Sequence, residues 1–288
     1  MHKPFFSGVC TAMVTPFLDG KINYPMMEIL LKRQMEAKIP AVVIAGTTGE
    51  GATLTDSEKI KLFHFSKEIL GCHTRMIAGT GSNCTEHSIA LSIAAENAGA
   101  DALLIVSPYY NKATPKGLVA HYTAISRAIN IPIILYNVPS RTGVDIPVSV
   151  YEELSKMPNI IGVKEASNDI TKIARIRNAC GNTFSIWTGN DDQIVPVMSL
   201  GGNGVISVLS NVAPAVTRNI CTAMQAGDIS TAANLQCKLL PLIEALFCEV
   251  NPIPVKAAMK EIGYDCGSCR LPLCDLSPEN LDRIKTYL

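Results

Sequence analysis

Apolar residues gather into eight short runs along the chain, at 9–14, 41–46, 75–79, 102–106, 131–136, 160–164, 184–188 and 204–208. Most are continuous rather than alternating, the pattern of parallel strands covered on both faces. Stretches with the apolar spacing of amphipathic helices separate them, at 24–37, 56–70, 85–98, 115–129, 147–157, 170–179 and 193–200, with another at 213–226 after the eighth run. Local punctuation agrees. Thr55 stands three residues before Glu58, a capping box. Gly99 closes a helix before the fourth run, and Pro115 and Pro147 fall in first helical turns.

Eight strand–helix units in succession predict an α/β fold, a (β/α)8 TIM barrel. The competing open, doubly wound sheet would carry a Gly-rich phosphate loop after its first strand, and Val14-Thr15-Pro16-Phe17 is not one. The barrel is assigned to residues 1–225. Residues 226–288 are expected to form a C-terminal helical subdomain, with helices at 230–250, 255–262 and 278–287. No Gly/Ser-rich or charged linker separates the two.

Composition narrows the function. Of 288 residues, 48% are hydrophobic and 17% charged, ample for a core, and the net charge is zero. Without a basic stripe, nucleic-acid binding and electrostatic membrane attachment have no support. No apolar run approaches a membrane span, and Met1-His2-Lys3-Pro4-Phe5-Phe6 is not of signal-peptide type, so the expected compartment is the cytoplasm. Ten cysteines, most of them single and in apolar settings, read as buried small hydrophobes in a reducing compartment. Cys266-Gly267-Ser268-Cys269 with Cys274 is the one cluster. It lacks the second pair or histidine that a zinc site needs, so no metal is expected.

In such barrels chemistry sits at the C-terminal ends of the strands. Strand six ends in Gly162-Val163-Lys164-Glu165. A lysine closing a buried strand is costly unless it is paired or loses its proton, and a neutral amine attacks carbonyls to form a Schiff base. The other strand ends add Gly46-Thr47-Thr48-Gly49-Glu50, Ser107-Pro108-Tyr109-Tyr110-Asn111, Tyr136-Asn137-Val138-Pro139-Ser140-Arg141-Thr142-Gly143, Thr188-Gly189-Asn190-Asp191-Asp192 and Gly204-Val205-Ile206-Ser207. Each has a plain structural reading on its own: a turn for Thr47-Thr48-Gly49, core-edge aromatics for the tyrosines, a solvated charge for Arg141, helix caps for Asp191 and Asp192. Together they put one lysine, several hydroxyls and one arginine on a single rim. That set suits carbonyl chemistry without a metal. The lysine forms an imine, a tyrosine relays protons, backbone N–H groups near Thr47 and Thr48 hold a carboxylate, and Arg141 grips a second one.

These motifs, with Asn251-Pro252-Ile253-Pro254-Val255-Lys256, resemble the pyruvate-dependent Schiff-base class I aldolases, and within them the dihydrodipicolinate synthase family. The resemblance runs from about Gly8 to the C-terminus. It implies a lyase in which Lys164 forms the imine with pyruvate and Tyr136, Thr48 and Tyr110 relay protons, Tyr110 reaching in from a neighbouring subunit. Thr47 and Thr48 would hold the pyruvate carboxylate, Arg141 the carboxylate of L-aspartate-4-semialdehyde, and Gly189 and Ile206 would line the pocket. The product would be 4-hydroxy-tetrahydrodipicolinate, on the diaminopimelate route to lysine, made by a cytoplasmic homotetramer with no cofactor beyond the covalent imine. N-acetylneuraminate lyase and keto-deoxy sugar acid aldolases share much of this equipment. Arg141 in its Val-Pro-Ser-Arg-Thr setting favours the short carboxylated aldehyde.

The chain departs from the family at one place. Lysine-inhibited members line a regulatory site with His, Glu, Asn and Tyr, whereas the matching positions here are Gly51, Ala52, Asp56, Lys59, Asn83, His87 and Tyr109. Lys59 sets a positive charge where a ligand ammonium would approach, and His87 replaces an acid, so weak or absent lysine feedback is expected.

Overall fold

The structure, a computed structural model, describes residues 4–288. Met1–Lys3, part of the segment considered above for a signal peptide, lie outside the described residues. Eight parallel strands close a barrel: β1 (Gly8–Ala12), β4 (Ala41–Ile44), β5 (Arg75–Gly79), β6 (Ala102–Val106), β7 (Ile133–Asn137), β8 (Ile160–Glu165), β9 (Ser185–Thr188) and β10 (Gly204–Ser207). The helices between them are α1 (Tyr24–Glu36), α2 (Asp56–Leu70), α3 (Thr85–Asn97), α4 (Pro115–Ala128), α5 (Pro139–Thr142), α6 (Val148–Leu154), α7 (Ile170–Cys180) and α8 (Ile194–Ser199). After β10 come α9 (Pro214–Gln225), α10 (Ile229–Leu246), α11 (Ile253–Glu261) and α12 (Pro278–Tyr287). The sequence-derived TIM barrel with C-terminal helices is therefore the observed fold. No helix among the described residues is long and apolar enough to cross a membrane.

Strand alternation explains the continuous apolar runs. Val42, Ile44, Met76, Ala78, Leu103, Ile105, Ile133, Leu135, Val163 and Ile186 face outward and pack with the helices in the larger core cluster. Their neighbours Ala41, Val43, Ile77, Ala102, Leu104, Ile134, Tyr136, Trp187 and Ile206 fill the barrel interior. Phe6 stacks on Trp187 at 4.5 Å between ring centroids within that inner cluster.

The observed boundaries sharpen several expectations. The second strand stops at Ile44 because Ala45 turns into the left-handed region (φ 55°) and carries the chain across the barrel mouth. The capping box at Thr55 and Glu58 is present, and Pro115 opens α4, but Pro147 is the residue before α6 rather than inside its first turn. A small hairpin, β2 (Phe17–Leu18) with β3 (Lys21–Ile22), and the four-residue α5 were not foreseen. The signal for α5 was present: Pro139 at its start and Gly143 in the left-handed conformation at its end.

Candidate functional site

Strand register makes the core of the site. On neighbouring parallel strands Tyr136 of β7 is the partner of Lys164 of β8, so both side chains project to the same inner face. The Lys164 Nζ lies 4.5 Å from the centroid of the Tyr136 ring. Both residues are buried, and no carboxylate forms an ion pair with Lys164 among the described residues. Cys10 is nearby in the barrel interior, and burial pushes its thiol up, so it stays protonated and offers no rival nucleophile. Gly189, at the end of β9, lies against the lysine stem: a Cβ there would stand 2.8 Å from Lys164 Cε and 2.7 Å from Ala166 Cβ.

A buried polar network holds these strand ends together. The Asn137 amide donates to Glu165 and to Asp145, both at 2.8 Å, and its oxygen accepts the Ile146 N–H at 3.0 Å. Glu165 also accepts from the Tyr151 hydroxyl at 3.0 Å and from the Ser167 N–H at 2.9 Å, and Lys172 Nζ stands 3.8 Å away. Burial raises the Glu165 carboxyl and Lys172 with the three donors opposes the rise. Asp191 is a cap, as the sequence suggested, but across the fold. It accepts the N–H groups of Val208 and Leu209 at 2.9 and 2.8 Å, just after β10.

Over the strand ends lies a cleft of about 1130 Å³ whose lining includes Thr47, Tyr110, Tyr136, Arg141 and Asn251. The loop after β4 crosses it in a tight turn. Gly51 has no room for a side chain there, since a Cβ would meet the Ala45 carbonyl oxygen at 2.2 Å. The Thr47 and Thr48 N–H groups find no acceptor among the described residues, so both amides are free to bind an anion. Thr48 is buried and its hydroxyl accepts the Asn251 amide at 3.0 Å. Arg141 is exposed on α5, with no acceptor for its guanidinium among the described residues. Ile206 is fully buried, in register with Cys10. Tyr110 is 90% exposed and holds a positive φ of 74°. Among the described residues no hydrogen bond joins the side chains of Tyr136, Thr48 and Tyr110, the Thr48 hydroxyl bonding Asn251 instead. Lys164, Thr48, Gly189 and Ile206 are not part of the cleft lining; Lys164 reaches it through Tyr136 and Thr48 through Asn251, both of which line it.

Sequence reasoning gave no role to the residues that fasten the β4 loop. Glu50 and Lys256 form a buried pair at 2.8 Å, and Glu50 also accepts the Arg270 N–H at 2.8 Å. Arg270 then grips both carboxylate oxygens of Glu58, at 2.6 and 2.9 Å, and holds that carboxyl down to about 2. The cysteine-rich segment thus straps the C-terminal region to the barrel mouth. Burial pushes the thiols of Cys266 and Cys269 up to about 12, and no group of three His, Cys, Asp or Glu side chains among the described residues is arranged to hold a metal.

To one side the cleft reaches Gly51, Ala52, Asp56, Lys59, Asn83, His87 and Tyr109. His87 Nε2 bonds Asp56 at 2.9 Å and its Nδ1 meets Ser82 Oγ at 3.1 Å. The acid missing at position 87 is thus supplied by Asp56, already engaged by the imidazole. Lys59 keeps its ammonium in the same recess, with burial lowering it and Asp56 opposing.

A buried amine beside a phenol, next to a cleft lined by Thr47 and Arg141, is able to support lyase chemistry through a lysine–carbonyl adduct. The chain belongs to the Dihydrodipicolinate synthetase family, whose model matches residues 5–288. It is 48% identical over 276 residues to the 4-hydroxy-tetrahydrodipicolinate synthase of Clostridium perfringens (strain SM101 / Type A), covering 96% of this chain and 95% of that one. The synthase of Thermoanaerobacter sp. (strain X514) is 48% identical over 286 residues, covering 99% and 96%. Among solved structures, dihydrodipicolinate synthase from Cyanidioschyzon merolae with lysine bound superposes with a TM-score of 0.96 at 39% identity, covering 99% of this chain and 98% of that one.

Proposed function

We propose that the protein condenses pyruvate with L-aspartate-4-semialdehyde to give 4-hydroxy-tetrahydrodipicolinate, the diaminopimelate-route reaction that leads to lysine. The observation that carries the reading is the pairing of Lys164 with Tyr136 at a cleft that Tyr136 and Arg141 both line. Lys164 Nζ attacks C2 of pyruvate, and water leaves as the imine forms. Loss of a C3 proton gives the enamine, whose C3 adds to the aldehyde carbon. The substrate amine then attacks the imine carbon, closes the ring and frees Lys164. Tyr136 and Thr48 carry the protons these steps exchange. The Thr47 and Thr48 amides hold the pyruvate carboxylate, and Arg141 binds the aldehyde substrate's carboxylate in the bidentate manner of guanidinium pairs. Gly189 makes room for the Lys164 stem, and Ile206 packs in the barrel interior with Tyr136. No cofactor enters this scheme.

Tyr110 belongs to the same proposal as a residue shared between subunits of a homotetramer. An aromatic side chain 90% exposed, held at a positive φ beside the cleft, supports a role completed by a neighbouring copy. Ten unpaired cysteines support the cytoplasm as the compartment. The test is turnover of both substrates coupled to an NADPH-dependent reductase, together with borohydride trapping of the pyruvate adduct. Lys164→Arg should lose the trapped adduct and the activity while keeping its fold. Turnover of a sugar acid but not of aspartate semialdehyde would replace the substrate assignment with another pyruvate aldolase.

A further inference from the structure

The segment between α10 and α11 brings Asn251 to the cleft. Its side chain is 5% exposed, and its two polar ends differ in state. The amide nitrogen donates to Thr48 Oγ1 at 3.0 Å, across 203 residues of sequence. The amide oxygen is buried with no partner among the described residues. The backbone around it is anchored: Ile253 N–H bonds Val250 O at 2.9 Å, and Lys256, one turn on, pairs with Glu50 in the loop that carries Thr48. Asn251 and Thr48 are therefore held by a common fixture.

We infer that Asn251 is a positioning residue that sets the direction of the Thr48 hydroxyl; the inference rests on the proton-relay role proposed above. An amide NH2 can only donate, so the Thr48 oxygen must accept and its single proton must point elsewhere. No acceptor among the described residues takes that proton. The hydroxyl is thus left as a donor to whatever occupies the cleft or to the Tyr136 phenol. The unpartnered Asn251 oxygen, lining the same cleft, takes a hydrogen bond from a water or hydroxyl group there. A buried acceptor left empty is unfavourable in the unliganded protein, which fits a group that is satisfied when the site fills.

The test separates direction from mere packing. Asn251→Asp keeps the shape, but an ionised carboxylate only accepts, so Thr48 would turn its proton toward residue 251. Two readouts need no aldehyde: borohydride trapping of the pyruvate imine, and exchange of the pyruvate methyl protons in D2O followed by NMR. Given time to equilibrate with pyruvate, the variant should trap the imine to the same final extent as the unaltered protein, yet exchange about 100-fold more slowly, the usual scale of a lost proton-transfer group. Acidification should restore exchange relative to the unaltered protein, because a protonated Asp again donates to Thr48. Adding Thr48→Val to Asn251→Asp should cost little beyond Thr48→Val alone. Exchange at the unaltered rate would overturn the inference. So would a loss independent of pH, or one that simply adds to that of Thr48→Val. Failure of the coupled assay in the unaltered protein, with methyl exchange intact, would instead count against the aldehyde substrate.

Discussion

Lys164 and Tyr136 are 28 positions apart in sequence yet adjacent across one strand pair. The lysine was legible because a cation ending an apolar strand violates the burial rule. Its surroundings were less so. Gly189 looks like a turn glycine, and only the fold shows that its missing side chain is the space the lysine stem occupies. Gly189→Ala would push a methyl group to within 2.8 Å of Lys164 Cε. The lysine must shift by a fraction of an ångström or more, and misplaced reacting groups lose about 10²-fold in rate. We expect kcat to fall on that order, and the melting temperature to fall as well, because the 2.7 Å approach to Ala166 Cβ is an overpacking that costs about 1–3 kcal/mol. An unaltered kcat in steady-state assays would show that the close approach does not constrain the amine.

At the scale of elements, the loop after β4 is shaped by partners far along the chain. Lys256→Met would leave Glu50 buried without its ammonium, and removal of one member of a buried pair costs about 3–5 kcal/mol. Thermal unfolding should show a clear drop in midpoint, and an unchanged midpoint would refute a structural role for the pair. A second element-level effect concerns α4. His121 is buried, its Nδ1 meets Thr85 Oγ1 of α3 at 2.9 Å, and burial lowers the imidazole to about 4. As pH falls below 6.5 the unfolded chain takes up this proton first, so stability is lost between 6.5 and about 4 and the loss then levels off. The contribution is about 3 kcal/mol at most. His121→Gln should flatten that part of the stability–pH curve from urea unfolding, and a slope identical to the parent would contradict it. Neither interaction has a local sequence signature. Glu50 and Lys256 look like surface charges until the C-terminal strap is seen, and His121 looks like one polar residue on an amphipathic helix.

For the whole molecule, the C-terminal helices complete the core as well as the site. Leu242, Ile243, Leu246, Val255, Met259 and Ile284 join the same cluster as the outward faces of the barrel strands. The division at residues 225 and 226 remains our proposal for describing the chain, with the second part packed as an integral cover. Regulation also belongs at this scale. The recess beside the cleft holds Lys59 unopposed by a hydrogen-bonded acid and an Asp56 engaged by His87. A free lysine would bring its ammonium toward a like charge. We expect millimolar lysine to leave the activity essentially unchanged, in contrast to what a lysine-bound relative would lead one to assume. Marked inhibition in the coupled assay would remove the argument.

Periodicity along the chain was enough to specify eight strand–helix units, because parallel strands covered on both faces must be apolar throughout and their helices apolar on one side. Lys164 drew attention as a cation closing an apolar strand, whereas Arg141 and the two threonines, each with a plain structural reading alone, stood out only by sharing a rim with it. Closure of the barrel decided the rest. It set Tyr136 against Lys164 through register, and the returning C-terminal chain carried Asn251 to Thr48 and Lys256 to Glu50. Contacts across about 200 residues depend on where the backbone folds back, and hydrophobic periodicity carries only near-neighbour information.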